Sequence, residues 1–123
     1  MINEIIYQNI YDEIEKFLLP EWDRLVIYLE YGEASYSFSF YVRSNGNYTK
    51  CYDLPQVSEE NLTRSFETID ALLEKERSNN KESWSNMTIV IEKPNNMHAD
   101  FDYSDLSEGT YQYKKDWKKK YLV

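Results

Sequence analysis

The segment from Trp22 to Val42 alternates between apolar and other residues with a period of two, and this pattern constrains the fold most strongly. One set of alternate positions is uniformly apolar: Leu25, Ile27, Leu29, Phe38 and Phe40. Two such runs, separated by a short connection from Tyr31 to Tyr36, predict a β-hairpin with one buried face. Gly32 favours the chain reversal because glycine readily adopts positive φ angles.

Two later segments, from Ser85 to Glu92 and from His98 to Tyr103, alternate in the same way and predict two further strands. If all of these strands join one sheet, the side opposite the apolar residues carries Tyr28, Glu30, Ser37, Ser39, Tyr41, Thr88, Val90, His98, Asp100 and Asp102. We expect helices to cover the apolar side and to leave this second side partly open to solvent.

Three segments have helical spacing. Residues 3–19 carry Ile10 and Ile14 on one stripe, Asn3 is a candidate cap, and Pro20 is expected to end the helix. A second helix is predicted from the Ser58 cap to about residue 77, and a third from about residue 110. The third carries an aromatic ridge with i, i+4, i+8 spacing: Tyr113, Trp117 and Tyr121.

The Asn45-Gly46 pair predicts a tight hairpin turn, followed by a short third strand from Tyr48 to Asp53. The resulting order is α-β-β-β-α-β-β-α. It predicts an α+β fold with a mostly antiparallel five-stranded sheet and helices packed on one face. A chain of 123 residues fits one domain, so we expect residues 1–123 to form a single unit.

The formal net charge of −8 is unevenly distributed. Residues 114–120 carry a local charge of +4, which leaves −12 for the remainder of the chain. An acidic body repels nucleic acid phosphates and attracts basic partners, so direct nucleic acid binding is not expected. The lysine-rich segment fits a solvated last helical turn that complements the helix dipole.

Targeting signals and disulfide bonds are not expected in this chain. Met1 is followed by Asn3 and Glu4 instead of a basic region and an apolar run, and no stretch is long enough to span a membrane. Cys51 is the single cysteine, so no intramolecular disulfide can form. We therefore expect a cytoplasmic protein without a membrane partner.

No catalytic, cofactor-binding or metal-binding residues are assigned. His98 is the only histidine, Cys51 lies in no recognisable nucleophile motif, and three glycines form no phosphate-binding loop. One acidic cluster remains: Asp100, Asp102, Asp105 and Glu108. It fits a solvated edge, a contact surface for a basic partner, or a site for Mg²⁺ or Ca²⁺ in a metal-dependent enzyme, although it lacks the EF-hand spacing.

Aromatic anchors surrounded by charge are typical of electrostatically steered protein interfaces. On this basis we predict a partner-binding surface on the open side of the sheet. Its residues are Tyr28, Glu30, Tyr41, Asp100, Asp102, Asp105 and Glu108.

Several short motifs, in order, resemble the YezG-type antitoxins, which include the EsaG-like immunity proteins. The motifs are Trp22-x-x-Leu25, Tyr28-Leu29-Glu30-Tyr31-Gly32, Trp84-x-x-Met87-Thr88, Asp100-Phe101-Asp102-Tyr103-x-Asp105-Leu106, and Trp117 with Tyr121-Leu122. The resemblance covers nearly the whole chain.

The resemblance implies a non-enzymatic intracellular protein that neutralises a cognate toxin exported by a type VII secretion system. It implies that the toxin carries a nuclease domain, whose basic surface would suit an acidic inhibitor. The sequence leaves open whether the toxin belongs to the same cell or to a rival. An adaptor or chaperone for a secreted substrate, and the metal-dependent enzyme, remain as alternatives.

Overall fold

The computed structural model describes residues 4–32, 35–79, 84–94, 96–107 and 109–123, with the backbone only for residues 77–79. The elements follow the predicted order and confirm an α+β fold. They are α1 (Glu4–Glu15), β1 (Trp22–Tyr31), β2 (Tyr36–Ser44), β3 (Asn47–Lys50), α2 (Glu59–Asn79), β4 (Asn86–Glu92), β5 (Asn96–Asp102) and α3 (Tyr111–Tyr121).

All five strands form one antiparallel sheet with the order β3-β2-β1-β4-β5. The predicted hairpin is confirmed, with Ile27 opposite Phe40 and Leu29 opposite Phe38. The second turn is also confirmed, because Asn45 and Gly46 both have positive φ angles, of 53° and 80°. The two hairpins give the order β3-β2-β1, and the pairing of β4 with the other side of β1 places β1 in the middle of the sheet.

The larger core lies between one sheet face and helices α1 and α2. The strands contribute Leu25, Ile27, Leu29, Phe38, Phe40, Val42, Met87 and Ile89, and the helices contribute Ile10, Ile14, Leu62, Phe66, Ile69 and Leu73. Period-two positions of the strands therefore meet stripes of helical spacing, as the sequence pattern predicts. We call this side of the sheet face A and the opposite side face B.

Two helix termini show how local residues set the element boundaries. The Ser58 hydroxyl accepts a hydrogen bond from the Asn61 amide at 3.1 Å, and the Asn61 side chain accepts one from the Ser58 amide at 2.7 Å. This reciprocal cap confirms Ser58 as the start signal of α2. Helix α1 ends at Glu15, four residues earlier than predicted, and Asn3 lies outside the described residues.

The end of α1 tightens into a turn in which the Phe17 amide donates to the Ile14 carbonyl at 2.9 Å. Three-residue spacing of this kind is common where a helix gives way to a loop. The third strand also ends early, at Lys50, because Cys51–Asp53 forms a single 3₁₀ turn. Cys51 is fully buried in the larger core.

Helix α3 lies on face B, so the prediction that all helices cover one face is corrected. Trp117 and Tyr121 of α3 form a second buried cluster with Val26, Tyr28 and Tyr41, together with Val90. The helix needs a surface for its aromatic ridge, and α1 and α2 already occupy face A. Among the described helices, none is long and apolar enough to cross a membrane.

Candidate functional site

Trp117 is the centre of the contact between α3 and face B. Its ring lies 5.0 Å from the Tyr28 ring in an edge-to-face arrangement and 5.7 Å from the Tyr41 ring, measured between centroids. Its indole Nε1 donates a hydrogen bond to the Thr88 hydroxyl at 2.8 Å. The ring is therefore held by both packing and a directed polar contact.

The two tyrosines of the ridge bind carboxylates of β5. The Tyr121 hydroxyl donates to Asp100 Oδ2 at 2.6 Å, and the Tyr113 hydroxyl donates to Asp102 Oδ2 at 2.7 Å. The Tyr113 hydroxyl also accepts a hydrogen bond from Asn86 Nδ2 at 2.9 Å. Hydrogen bonds to ionised acceptors are stronger than neutral ones, so these carboxylates help fix α3 to the sheet.

The last turn of α3 is held by a buried arginine. Arg24 Nη2 donates to the Tyr121 carbonyl at 3.0 Å, and Arg24 Nη1 lies 3.0 Å from Glu92 Oε1. The Tyr48 hydroxyl donates to the Val123 carbonyl oxygen at 3.1 Å. A cation at the carboxyl end of a helix also complements the helix dipole.

These contacts raise the pKa of the tyrosines and lower the pKa of the Asp102 carboxyl group. Burial, and then the hydrogen bond to Asp102, raises the pKa of Tyr113 to about 12. Burial is also the main cause of the raised pKa of Tyr28 and Tyr121, which bind Glu30 and Asp100 respectively. Hydrogen bonding from Ser104, and more weakly from Tyr113, lowers the pKa of Asp102. A neutral Tyr113 phenol facing an ionised Asp102 carboxylate is therefore the favoured state near neutral pH.

The predicted anchors Tyr28 and Tyr41 are placed on face B as expected, but α3 covers them. Their exposed fractions are 3% and 8%. The Tyr28 hydroxyl is engaged by Glu30 Oε1 at 2.6 Å. The expectation that these rings are exposed on an open face is therefore wrong, because the aromatic ridge of α3 packs against them.

The predicted carboxylates stay nearer to solvent. Strand pairing places Asp100 beside Thr88 and Asp102 beside Asn86, so both point to face B from the edge strand. Asp105 is exposed in the following connection, and hydrogen bonding from Ser107 lowers its pKa. Glu108 lies outside the described residues.

A polar cleft of about 310 Å³ lies between β5 and α3. Asp100, Asp102 and Asp116 line it, together with Lys120 and the ridge aromatics. Three carboxylates against one ammonium give the cleft a negative charge. Its chemistry suits a cationic side chain, such as arginine or lysine, from a partner.

Catalytic and metal-binding alternatives gain no support from the described part of the chain. Among the residues with described positions, no group of three or more His, Cys, Asp or Glu side chains is placed to hold a metal ion. His98 Nε2 lies 3.8 Å from Asp100 Oδ2 on an exposed edge. Burial raises the pKa of the Cys51 thiol, which disfavours the reactive thiolate.

The sequence reasoning missed Asp116 as a cleft residue and Asn86, Thr88 and Arg24 as supports of α3. The available signal was the ridge itself, since three aromatic residues at helical spacing require an apolar partner surface. Val26 and Tyr28 of β1, Tyr41 of β2 and Val90 of β4 supply that surface.

Comparison with known proteins assigns the family. A family model described as "Immunity protein YezG-like" matches residues 3–123. The chain belongs to the YezG-like immunity protein family. It is 24% identical to Immunity protein YezG of Bacillus spizizenii over 110 residues, which cover 82% of this chain and 68% of the relative. It is 23% identical to Immunity protein YezG of Bacillus subtilis strain 168, over 82% of this chain and 73% of that relative.

Family membership confirms the resemblance found in the sequence motifs. It supports an immunity role, and it implies that the protein binds a cognate toxin.

Proposed function

We propose that this protein is a non-enzymatic antitoxin that binds and neutralises a nuclease toxin exported by a type VII secretion system. We propose that it acts in the cytoplasm of the producing cell, without a cofactor, and that it contacts neither nucleic acid nor membrane directly. Its toxin-binding residues are Asp100, Asp102 and Asp105, at the edge of the sheet and in the adjoining connection. The observation that supports Asp100 and Asp102 is the negatively charged cleft between β5 and α3, which both of them line. Asp105 is included because it is exposed in the connection that follows β5.

The charge of the chain favours a basic partner. A nuclease domain needs cationic residues to bind the phosphates of its substrate. A protein with net charge −8 attracts such a surface and can occupy it in place of nucleic acid. The acidic cleft adds short-range contacts with cationic side chains to that long-range attraction.

Burial of the two predicted anchors changes their role. Tyr28 and Tyr41 support α3 and thereby shape the cleft, instead of touching the toxin. We propose Tyr103 as the exposed aromatic contact, since it follows Asp102 directly and is 58% exposed. Glu30 serves as the acceptor for the buried Tyr28 hydroxyl.

The test is co-expression with each candidate toxin gene from the neighbourhood of this gene, scored by growth and by co-purification. The variant combines Asp100→Asn, Asp102→Asn and Asp105→Asn, because asparagine keeps an acceptor for the tyrosine hydroxyls while removing the charge. We expect a folded variant that binds the toxin at least tenfold more weakly and protects cells less well.

The matched control combines Glu67→Gln and Glu74→Gln, two exposed positions on α2. It should bind and protect as the unchanged protein does. Undiminished toxin binding by a folded triple variant would refute the proposed site. Co-purification without any growth protection would favour an adaptor or chaperone and refute the antitoxin assignment.

A further inference from the structure

The outer edge of β5 differs from the other edge of the sheet. Strand β3 has only four residues and ends with Lys50, two features that blunt an edge against further pairing. Strand β5 has seven residues and contains neither lysine nor proline. Among the described strands, none pairs with its outer side.

The side chains of β5 divide into two chemically distinct rows. Met97, Ala99 and Phe101 lie on face A, whereas His98, Asp100 and Asp102 lie on face B, because their partners on β4 alternate in the same way. Met97 is 43% exposed. The edge therefore presents apolar contacts on one side and carboxylates on the other.

At one end of the apolar row, Met97 lines a groove of about 600 Å³ between α1 and the sheet. Its apolar and aromatic walls are formed by Tyr7, Tyr11, Trp22, Ile89, Ile91 and Met97, and its polar lining includes Glu4, Gln8, Glu92 and Asn96. Lys93 Nζ lies 4.4 Å above the centre of the Trp22 ring at the rim. From a strand beside β5, a side chain that projects toward face A next to Met97 would lie at the edge of this groove.

We propose that β5 accepts an extended segment of the toxin as a sixth strand, with alternating apolar and basic residues. The apolar residues extend the row of Met97, Ala99 and Phe101, with the one beside Met97 at the groove, and the basic residues face Asp100 and Asp102. Backbone hydrogen bonds supply affinity in this mode of recognition, and alternate side chains supply specificity. The inference rests on the proposed function only in naming the toxin as the source of the segment.

Electrostatic complementarity favours a basic segment of the toxin over a second copy of this chain as the strand beside β5. A second copy would bring another Asp100 and Asp102 to the same edge and another net charge of −8. A segment with lysine or arginine on face B instead pairs with both carboxylates.

The probe is a synthetic peptide of alternating valine and lysine, about as long as β5, used below the concentration at which it self-associates. Binding is measured by titration calorimetry, and backbone protection by residue-resolved hydrogen exchange. We expect saturable binding that protects every second amide of β5, because successive amides of a strand point to opposite edges. A peptide of valine and glutamate should not bind.

Two variants separate the apolar and charged rows. Met97→Glu places a charge at the mouth of the groove and should abolish peptide binding. Asp100→Asn combined with Asp102→Asn should weaken it about five- to tenfold, as expected for two exposed ion pairs. The control with Glu67→Gln and Glu74→Gln should retain full affinity.

Several results would overturn the inference: no saturable binding, binding without protection of alternate β5 amides, or equal binding of the glutamate peptide. A dimer of the free protein whose β5 amides are already protected would assign the edge to a second copy instead. If the toxin co-purifies and is neutralised but leaves β5 amides exchanging freely, the proposed function stands and the added strand is refuted.

Discussion

Arg24 shows how one buried residue links a strand to a distant helix. Its guanidinium contacts both Glu92 and the Tyr121 carbonyl, each at 3.0 Å, while the whole residue is only 8% exposed. The planar fork of arginine can serve two acceptors in fixed directions, whereas a lysine ammonium acts as a point charge. The identity of this cation therefore matters more than its charge.

We expect Arg24→Lys to lower the free energy of unfolding by about 1–2 kcal/mol, because one of the two buried contacts is lost. Urea denaturation measures the change. The control is Arg64→Lys on α2, where an exposed arginine lies 2.7 Å from Glu60 and the change should stay within about 0.5 kcal/mol. Equal losses for both variants would contradict the role assigned to Arg24.

The raised pKa values of the face B tyrosines predict a loss of stability in alkaline solution. Above pH 10 the unfolded chain releases phenolic protons that the native state still holds, so the free energy of unfolding falls as pH rises through about 12, the pKa of Tyr113. Urea denaturation at a series of alkaline pH values measures this slope.

Tyr113→Phe should make that slope shallower, because the variant no longer carries this titrating group. The comparison variant Thr63→Ala alters an exposed residue of α2 that carries no titrating group, so it should leave the slope unchanged. A slope identical in all three proteins would show that Tyr113 does not carry the effect.

At the scale of elements, α3 is the one whose position matters most for the site. It covers Tyr28 and Tyr41 and forms one wall of the acidic cleft. The sequence predicted its start to within one residue, because the aromatic spacing is regular. Thr110 precedes the helix but makes no side-chain cap, so packing of the ridge is the main reason for its stability.

Trp117→Ala should therefore destabilise the protein by about 3–5 kcal/mol, through lost burial and the cavity left on face B. Alanine has a higher helix propensity than tryptophan, so a lower free energy of unfolding would reflect lost docking of α3 and not weaker helix formation. Thermal and urea unfolding measure it, with Tyr111→Ala, at a residue that is 81% exposed, as the control. A cost below about 1 kcal/mol would show that α3 is not anchored by Trp117.

At the scale of the molecule, the net charge of −8 governs encounter with a basic partner. Opposite charges accelerate association over distances comparable to the Debye length, and salt screens them. The acidic cleft determines where such a partner is retained, whereas the total charge determines how fast it arrives.

For the toxin complex, we expect the association rate constant to fall about tenfold as ionic strength rises from about 0.02 M to about 0.3 M. The dissociation rate constant should change much less. Stopped-flow or surface-based kinetics with an inactive toxin variant provides the measurement. An association rate that is independent of salt would contradict electrostatic steering by the acidic body.

The sequence by itself determined the strands, the turns and the residues that share each face. Period-two alternation placed Tyr28, Asp100 and Asp102 on one face, and Asn45-Gly46 set the turn between β2 and β3, because these signals act between near neighbours along the chain. Only the tertiary structure decided that α3 covers this row. That choice depends on which apolar surface is still free after α1 and α2 occupy face A, and such competition between distant segments leaves no local pattern in the sequence.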